Sequence, residues 1–239
     1  MKSLLKIQVL KLVKVRYLIM TLFLIGGGIA LAGDMGDLKK GDVTTDGLTV
    51  VKSTRFTEDQ IKKGVDWSEY TKYQIAPVDV SFIKNWKKDY NRNQRILSGK
   101  VTDKDMARIR RDMAKIVDEE LNKALQKKGG FSKVEKADSN TMLLTPKIID
   151  LDVYAPDVDH STSYSESYVR RAGKATLFLE IHDAVSGELL ARWVDTREDP
   201  DRGYFDWANR ITNNARVKLI VGSWAKRLVE GLEKLHAEK

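Results

Sequence analysis

The feature that most constrains the fold is a pair of alternating runs on either side of a short turn, within FLEIHDAVSGELLARWVD, residues 178–195. Apolar residues occupy every second position from 175 to 181, which predicts one buried face of a strand. For Ala191 and Trp193 to share that face, the loop must contain an odd number of residues. The simplest solution is a three-residue loop, 185–187, with Gly187 in the left-handed conformation of a bulged hairpin.

The same parity assigns the polar side chains of the hairpin. It places His182 opposite Leu190, and Glu180 opposite Arg192 as a cross-strand ion pair. His182 and Asp183 are neighbours in sequence but point to opposite sides of the strand. They are therefore predicted to belong to a hairpin and not to a catalytic dyad.

Two amphipathic helices flank these strands. The first is predicted from an N-cap at Thr102 to an end at Gly129, with apolar residues at steps of three and four, and the second closes the chain with a stripe from Ile220 to Leu235. Further strands are predicted at 73–80, where Pro77 indicates an edge or bulge, and at 141–155, where Ile149, Leu151 and Val153 alternate with aspartates.

This order of elements predicts an α+β fold. We expect a single layer of about four mostly antiparallel strands with two amphipathic helices packed on one face, in the order β-α-β-β-β-α. The domain is expected to span 67–236. Residues 33–66, rich in Gly, Asp, Thr and Lys, are expected to form a flexible arm.

The first 32 residues are typical of a secretory signal peptide. A basic segment precedes the uncharged stretch 17–32, and Ala30 and Ala32 fit the small-residue rule for cleavage before Gly33. The alternative is an uncleaved inner-membrane helix, although 16 residues are short for a span. Five of the basic residues lie in this segment, so the formal charge of +8 falls to +3 for residues 33–239, which argues against a nucleic-acid partner.

Three motifs in order carry a resemblance to a known family: YTKYQIAPVDVSF ahead of a long helix, the hairpin HDAVSGELLARWVDTRED, and the closing WAKRLVEGL. Over residues 67–235 the chain resembles the domain of unknown function 3313 family, bacterial envelope proteins often made as lipoproteins. The resemblance implies an exported envelope protein of uncharacterised activity, with no catalytic residues to transfer. Gly33 stands where the lipoproteins carry the lipidated cysteine, and the chain contains no cysteine at all.

The sequence offers little for catalysis, and we expect no catalytic residues, metal or cofactor. His160, with Asp157 and Asp159 close by, is the one conceivable metal or hydrolase site, but a solvated acidic turn explains the same residues. The irregular segment 154–173 is longer than most connections. It carries residue types enriched in binding hot spots, which makes it a candidate partner-binding loop: Tyr164, Tyr168, Arg170 and Arg171.

A second candidate contact surface is the stretch KNWKKDYNRNQR, residues 84–95, with Trp67 nearby in sequence order. Its mixture of aromatic and basic residues is compatible with anionic lipid or glycan, although a charge run is more often a solvated surface. The functional expectation is an exported, non-enzymatic binding or assembly module with an envelope protein partner. The alternatives are an enzyme that uses the His160 loop and a periplasmic module tethered by its N-terminal helix.

Overall fold

The computed structural model describes residues 38–52, 55–94, 99–156, 158, 168–169, 171–201, 206–207 and 210–237. Apart from Leu38, they belong to one compact unit, Lys39–Lys239. The described residues form three α-helices: α1 (Trp86–Arg92), α2 (Asp103–Lys127) and α3 (Arg210–Ala237). They also form ten strands: β1 (Thr49–Val51), β2 (Glu58–Ile61), β3 (Lys72–Ile75), β4 (Asp79–Phe82), β5 (Ser132–Lys133), β6 (Thr141–Val153), β7 (Tyr168–Val169), β8 (Gly173–Asp183), β9 (Leu189–Glu198) and β10 (Asp206–Trp207).

Eight strands make one mixed sheet in the order β1-β2-β9-β8-β6-β3-β5, with β4 also paired to β6, and β7 and β10 make a separate ribbon. The prediction of a single layer of about four mostly antiparallel strands with two helices is therefore wrong. Strands β1 and β2 lie in the segment predicted as an arm, and with three and four residues they are too short to show a period. The β3 and β4 strands pair with β6 in parallel, which requires the crossover through α1 and α2.

Pro77 divides what looked like one edge strand into β3 and β4, which follow each other along β6. Because proline has no N–H to donate, the ladder is interrupted at this position. The expected alternation in β6 is also broken. Asp150 adopts φ of +52°, and the register with β8 shifts between Ile149 and Asp152. This bulge moves the buried face from the even-numbered Ile148 to the odd-numbered Leu151. The prediction that Ile149 and Leu151 share a face is therefore wrong.

The first long helix and the strand pairing of the hairpin agree with the sequence, but the predicted three-residue loop 185–187 is wrong, because residues 184–188 separate β8 from β9. Gly187 has φ of +74°, and Glu180 lies opposite Arg192. A bulge at the turn, however, pairs His182 with Leu189 and not with Leu190. Helix α2 begins with a capping box, in which Thr102 and Asp105 each accept a hydrogen bond from the other's backbone N–H.

The two long helices pack together and share one core with the sheet. Leu121 of α2, Leu228 of α3 and Leu179 of β8 are almost completely buried in this core. The apolar stripes predicted for both helices therefore face the sheet. The opposite side of the sheet is called the outer face below; on it the segment before β1 contacts β9 through an Asp46–Arg192 ion pair.

Candidate binding site

A cleft opens between α2, α3 and the neighbouring ends of β6 and β8. It contains a cavity of about 90 Å³. Both helices contribute their N-terminal halves, so they run in the same direction past the sheet. The wall is mainly apolar. Its apolar residues come from α2, β6 and α3 and include Ile109, Met113, Leu151, Val153, Val217 and Trp224.

Local sequence rules explain why this wall is apolar. Ile109, Met113 and Ile116 lie on the stripe that α2 turns toward the sheet, and Val217, Val221 and Trp224 form the equivalent stripe on α3. The bulge at Asp150 supplies the third side, because the shift in phase turns Leu151 and Val153 toward the helices. Without that bulge, β6 would present Asp150 and Asp152 to the cleft.

Polar groups surround the opening of the cleft. Asp105 holds the guanidinium of Arg108 at 3.0 Å, and the Asn213 side-chain amide donates to the carbonyl of Ala155 at 3.1 Å. Burial raises the pKa of Asp152 above its ordinary value, although Lys174 nearby acts in the opposite direction. The rim thus carries both signs of charge and two amides: Arg108, Asp112, Asp152, Lys174, Asn213 and Asn214.

A buried ion pair fixes the cleft at the start of β8. The Asp199 carboxylate accepts from Arg216 of α3 at 2.8 Å and from the backbone N–H of Ala172 at 2.7 Å. Both charged side chains are 5% exposed or less. Because Ala172 and Gly173 line the cleft, this pair couples the position of α3 to that of the strand end. The ion pair therefore ties one side of the cleft to α3.

The outer face carries the densest charge network among the described residues. Glu180 accepts from Arg192 at 2.8 Å and lies 3.8 Å from the Lys147 ammonium, while the His182 ring is 3.9 Å away, too far for a hydrogen bond. Burial alone would raise the pKa of Glu180, but the His182, Arg192 and Lys147 side chains outweigh it and lower that pKa to about 2. Lys147 and Arg192 also lie over the ring of Phe178. The network links β6, β8, β9 and the segment before β1. Its role is therefore structural.

The hairpin histidine is not oriented by its neighbouring aspartate. The Asp183 carboxylate instead accepts from the Tyr70 hydroxyl at 3.1 Å and from two backbone N–H groups of the turn, those of Val185 and Ser186. The His182 Nδ1 atom lies 3.3 Å from the carbonyl oxygen of Gly187. The prediction that these two residues do not form a dyad agrees with this geometry.

Most of the other residues singled out from the sequence lie outside the described residues: Ala30, Ala32, Gly33, Asp157, Asp159, His160, Tyr164 and Arg170. The backbone of Tyr168 belongs to β7 and pairs with Trp207 of β10. Arg171 is exposed and forms an ion pair with Glu198 at 2.6 Å, and Tyr154 donates to the same carboxylate. The candidate partner-binding loop thus stays a prediction.

Two searches of the described residues bear on function. No group of three or more His, Cys, Asp or Glu side chains in this part of the chain is arranged to hold a metal ion. None of the helices described is both long enough and apolar enough to cross a bilayer.

Comparison with known proteins identifies the family. A family model described as protein of unknown function, DUF3313, matches residues 59–228. This chain belongs to the DUF3313 family. The match begins inside β2 and ends in α3, so the DUF3313 region contains the sheet from β2 onward and both walls of the cleft. No curated protein matches the chain.

Solved structures resemble this chain only weakly. A PelC dodecamer from Paraburkholderia phytofirmans is 10% identical, with coverage of 71% of this chain and 95% of that chain and a TM-score of 0.33. A Xanthomonas campestris protein of family DUF330 is 8% identical, with coverage of 71% and 89% and a TM-score of 0.38. Scores and identities this low carry no conclusion about the activity or assembly of the DUF3313 chain.

Sequence reasoning missed the cleft. It identified the stripes on both helices and assigned them wholly to the core. The one indication of a cleft in the sequence is the length of the helices, 25 residues for α2 and 28 for α3. The apolar stripe of α2 is fully buried only from Met113 onward. The first turns of α2 therefore extend past the strands that could cover them, and their apolar residues line an opening.

Proposed function

We propose that this DUF3313 protein is exported to the bacterial envelope and acts there as a non-enzymatic binding or assembly module, with the cleft between α2 and α3 as its binding site. The observation that carries the proposal is the character of that cleft. Its floor is apolar and its polar groups are at the rim, as is typical of sites that bind a ligand.

The chemistry of the wall favours binding over catalysis. The rim carboxylate with a raised pKa, Asp152, has Lys174 near it, and the lining residues that the structure describes include no serine, threonine or histidine. A hydrolytic site needs a nucleophile or an activated water beside a base. The groups that line this cleft supply shape and apolar contact instead.

The size of the cavity limits what it can accept. At about 90 Å³ it is smaller than the ~150 Å³ engineered cavity that admits benzene. We infer that the occupant is a single aliphatic side chain of a partner polypeptide, whose backbone hydrogen-bonds to the amides of Asn213 and Asn214 at the rim. A single side chain that is buried in a desolvated pocket can supply a large part of the binding free energy of an interface.

Filling the cleft tests this proposal. Val217→Trp places an indole into the cavity, and Leu219→Trp, on the same helix at a position 63% exposed, is the matched control. We expect affinity isolation from envelope membranes to recover partners with the wild type and with Leu219→Trp, and to lose them with Val217→Trp. Circular dichroism and thermal unfolding of each variant establish that the fold is intact. An unchanged partner set for a folded Val217→Trp would refute the cleft as the binding site.

Export rests on the basic and apolar segments of residues 1–32 and on the family resemblance. The measurement is the intact mass of the protein recovered from the periplasm. A chain that starts at Gly33 is the expected result. The full-length mass in the membrane fraction would establish the tethered alternative, and a full-length mass in the cytosol would contradict export altogether.

A further inference from the structure

Positive charge in this protein is concentrated in one stretch. Residues 84–115 contain eleven Lys and Arg against four Asp and Glu, a net charge of +7, whereas residues 33–239 as a whole carry only +3. The stretch covers α1, the following loop and the first half of α2. The remainder of the chain after residue 32 is therefore net acidic, so the excess of positive charge lies in this one part of the sequence.

The fold presents part of this charge around an exposed apolar residue. Ile83 is 42% exposed at the turn between β4 and α1, and Lys84 and Lys88 follow it on the same groove. Neither lysine is paired with a carboxylate among the described residues, in contrast to Lys87, which binds Asp103 at 2.7 Å. An exposed isoleucine beside unpaired lysines is thus displayed at one point of the surface.

The turn that carries these residues is held firmly. The Ile83 N–H donates to the carbonyl of Leu151 at 3.1 Å, and the Trp86 indole N–H donates to the carbonyl of Val153 at 3.2 Å. Asn85 completes the turn in the left-handed conformation, with φ of +64°. Both anchoring carbonyls belong to β6 of the main sheet, so the turn is tied to the sheet at two points.

We infer that the turn Ile83–Asn85, with Lys88, binds the surface of a bilayer that contains anionic phospholipid. Lysines attract anionic headgroups, and an apolar side chain at their centre enters the headgroup boundary. Stacking of a neutral sugar ring is disfavoured by the same structure, because the aromatic faces beside the turn are already in contact with other side chains. Here the Trp86 ring is stacked between Phe82 and Tyr90, and Arg110 lies over Phe82.

This surface is separate from the cleft, so the inference stands or falls independently of the proposed function. The chain has no cysteine, which allows a single label to be placed at will. We would attach an environment-sensitive fluorophore to Ile83→Cys in the full chain and, as a matched control, to Val185→Cys, which is 65% exposed in the β8–β9 hairpin. A label reports only on its own position, so membrane contact by the N-terminal segment does not confuse the reading.

With phosphatidylglycerol vesicles we expect a blue shift at position 83 and none at 185. Phosphatidylcholine vesicles or high salt should abolish the shift. In the Ile83→Cys background, the double substitution Lys84→Ala and Lys88→Ala should weaken partitioning of the protein onto the vesicles about 30-fold. Each lysine near an anionic surface contributes about 5-fold. Lys218→Ala with Lys226→Ala on α3 removes the same charge and should leave partitioning unchanged.

Three outcomes would overturn the inference. They are equal shifts with anionic and zwitterionic vesicles, equal shifts at positions 83 and 185, and a shift with soluble alginate but none with phosphatidylglycerol. The last result would assign the surface to an anionic polysaccharide.

Discussion

The Glu180→Gln substitution tests how much the outer-face network stabilises the sheet. Glutamine keeps the shape of the side chain and removes the charge that faces Arg192 and Lys147. Arg192 retains Asp46 as a partner, so the variant does not leave an isolated buried cation. The loss of stability therefore measures the interactions of the Glu180 charge.

The magnitude follows from the pKa of Glu180. A folded-state pKa of about 2 against an ordinary value of 4.5 corresponds to at most ~3 kcal/mol of unfolding free energy at neutral pH. The Glu180 side chain is 15% exposed, and solvent screening of a partly exposed pair reduces the expected loss to about 1–2 kcal/mol.

The pH dependence has a definite sign. Because the pKa is lowered on folding, the stabilisation is complete above pH 4.5 and disappears as the pH falls through about 2. At pH 3 less than half of the difference between wild type and Glu180→Gln should remain.

Urea unfolding at pH 7 and pH 3, followed by circular dichroism, gives both differences. The control is Glu198→Gln, which makes the same change in a solvent-exposed carboxylate paired with Arg171 and should have little effect. A destabilisation by Glu180→Gln that is the same at both pH values would show that its charge is not the cause. A destabilisation equal to that of Glu198→Gln would lead to the same conclusion.

Three further substitutions have definite expectations. Arg216→Met leaves its buried carboxylate partner uncompensated and should cost about 3–5 kcal/mol in urea unfolding. Thr102→Ala removes the capping box of α2 and should cost about 1 kcal/mol, seen as a lower urea midpoint with an unchanged slope. Gly173→Ala places a methyl carbon 2.2 Å from a backbone oxygen of β6 and should abolish soluble expression. The control is Gly130→Ala, which also has a positive φ but has open space around it. This variant should be expressed and should lose only part of its stability.

The hairpin and the two long helices could be predicted because their signals are local. Alternation with period two placed Glu180 opposite Arg192, and the parity of the loop required the left-handed Gly187. The Thr102 cap is equally local, since donor and acceptor are three residues apart. Each of these features depends on residues that lie close together in the sequence.

The sheet was underestimated because its extra strands depend on distant partners. Residues 58–61 form β2 between the nearby β1 and the distant β9, which lies 130 to 136 positions later and joins them to the main sheet, and a four-residue strand shows no recognisable period of its own. Tertiary pairing also fixes the parallel direction of β3 and β4. The bulge at Asp150, which reverses the buried face of β6, is invisible in a sequence that alternates regularly.

By itself, the sequence determined the two long helices, the Glu180–Arg192 pairing of the hairpin and the membership in a family of uncharacterised proteins, because each rests on residue types at fixed spacing. Only the tertiary structure decided where a cleft opens and which basic side chains stay exposed and unpaired. The sequence already places Lys84 and Lys88 close to Ile83, whereas folding pairs Lys87 with Asp103 and leaves Ile83 exposed at the turn. Composition sums charges over the whole chain, whereas a binding surface depends on which of them the fold places together.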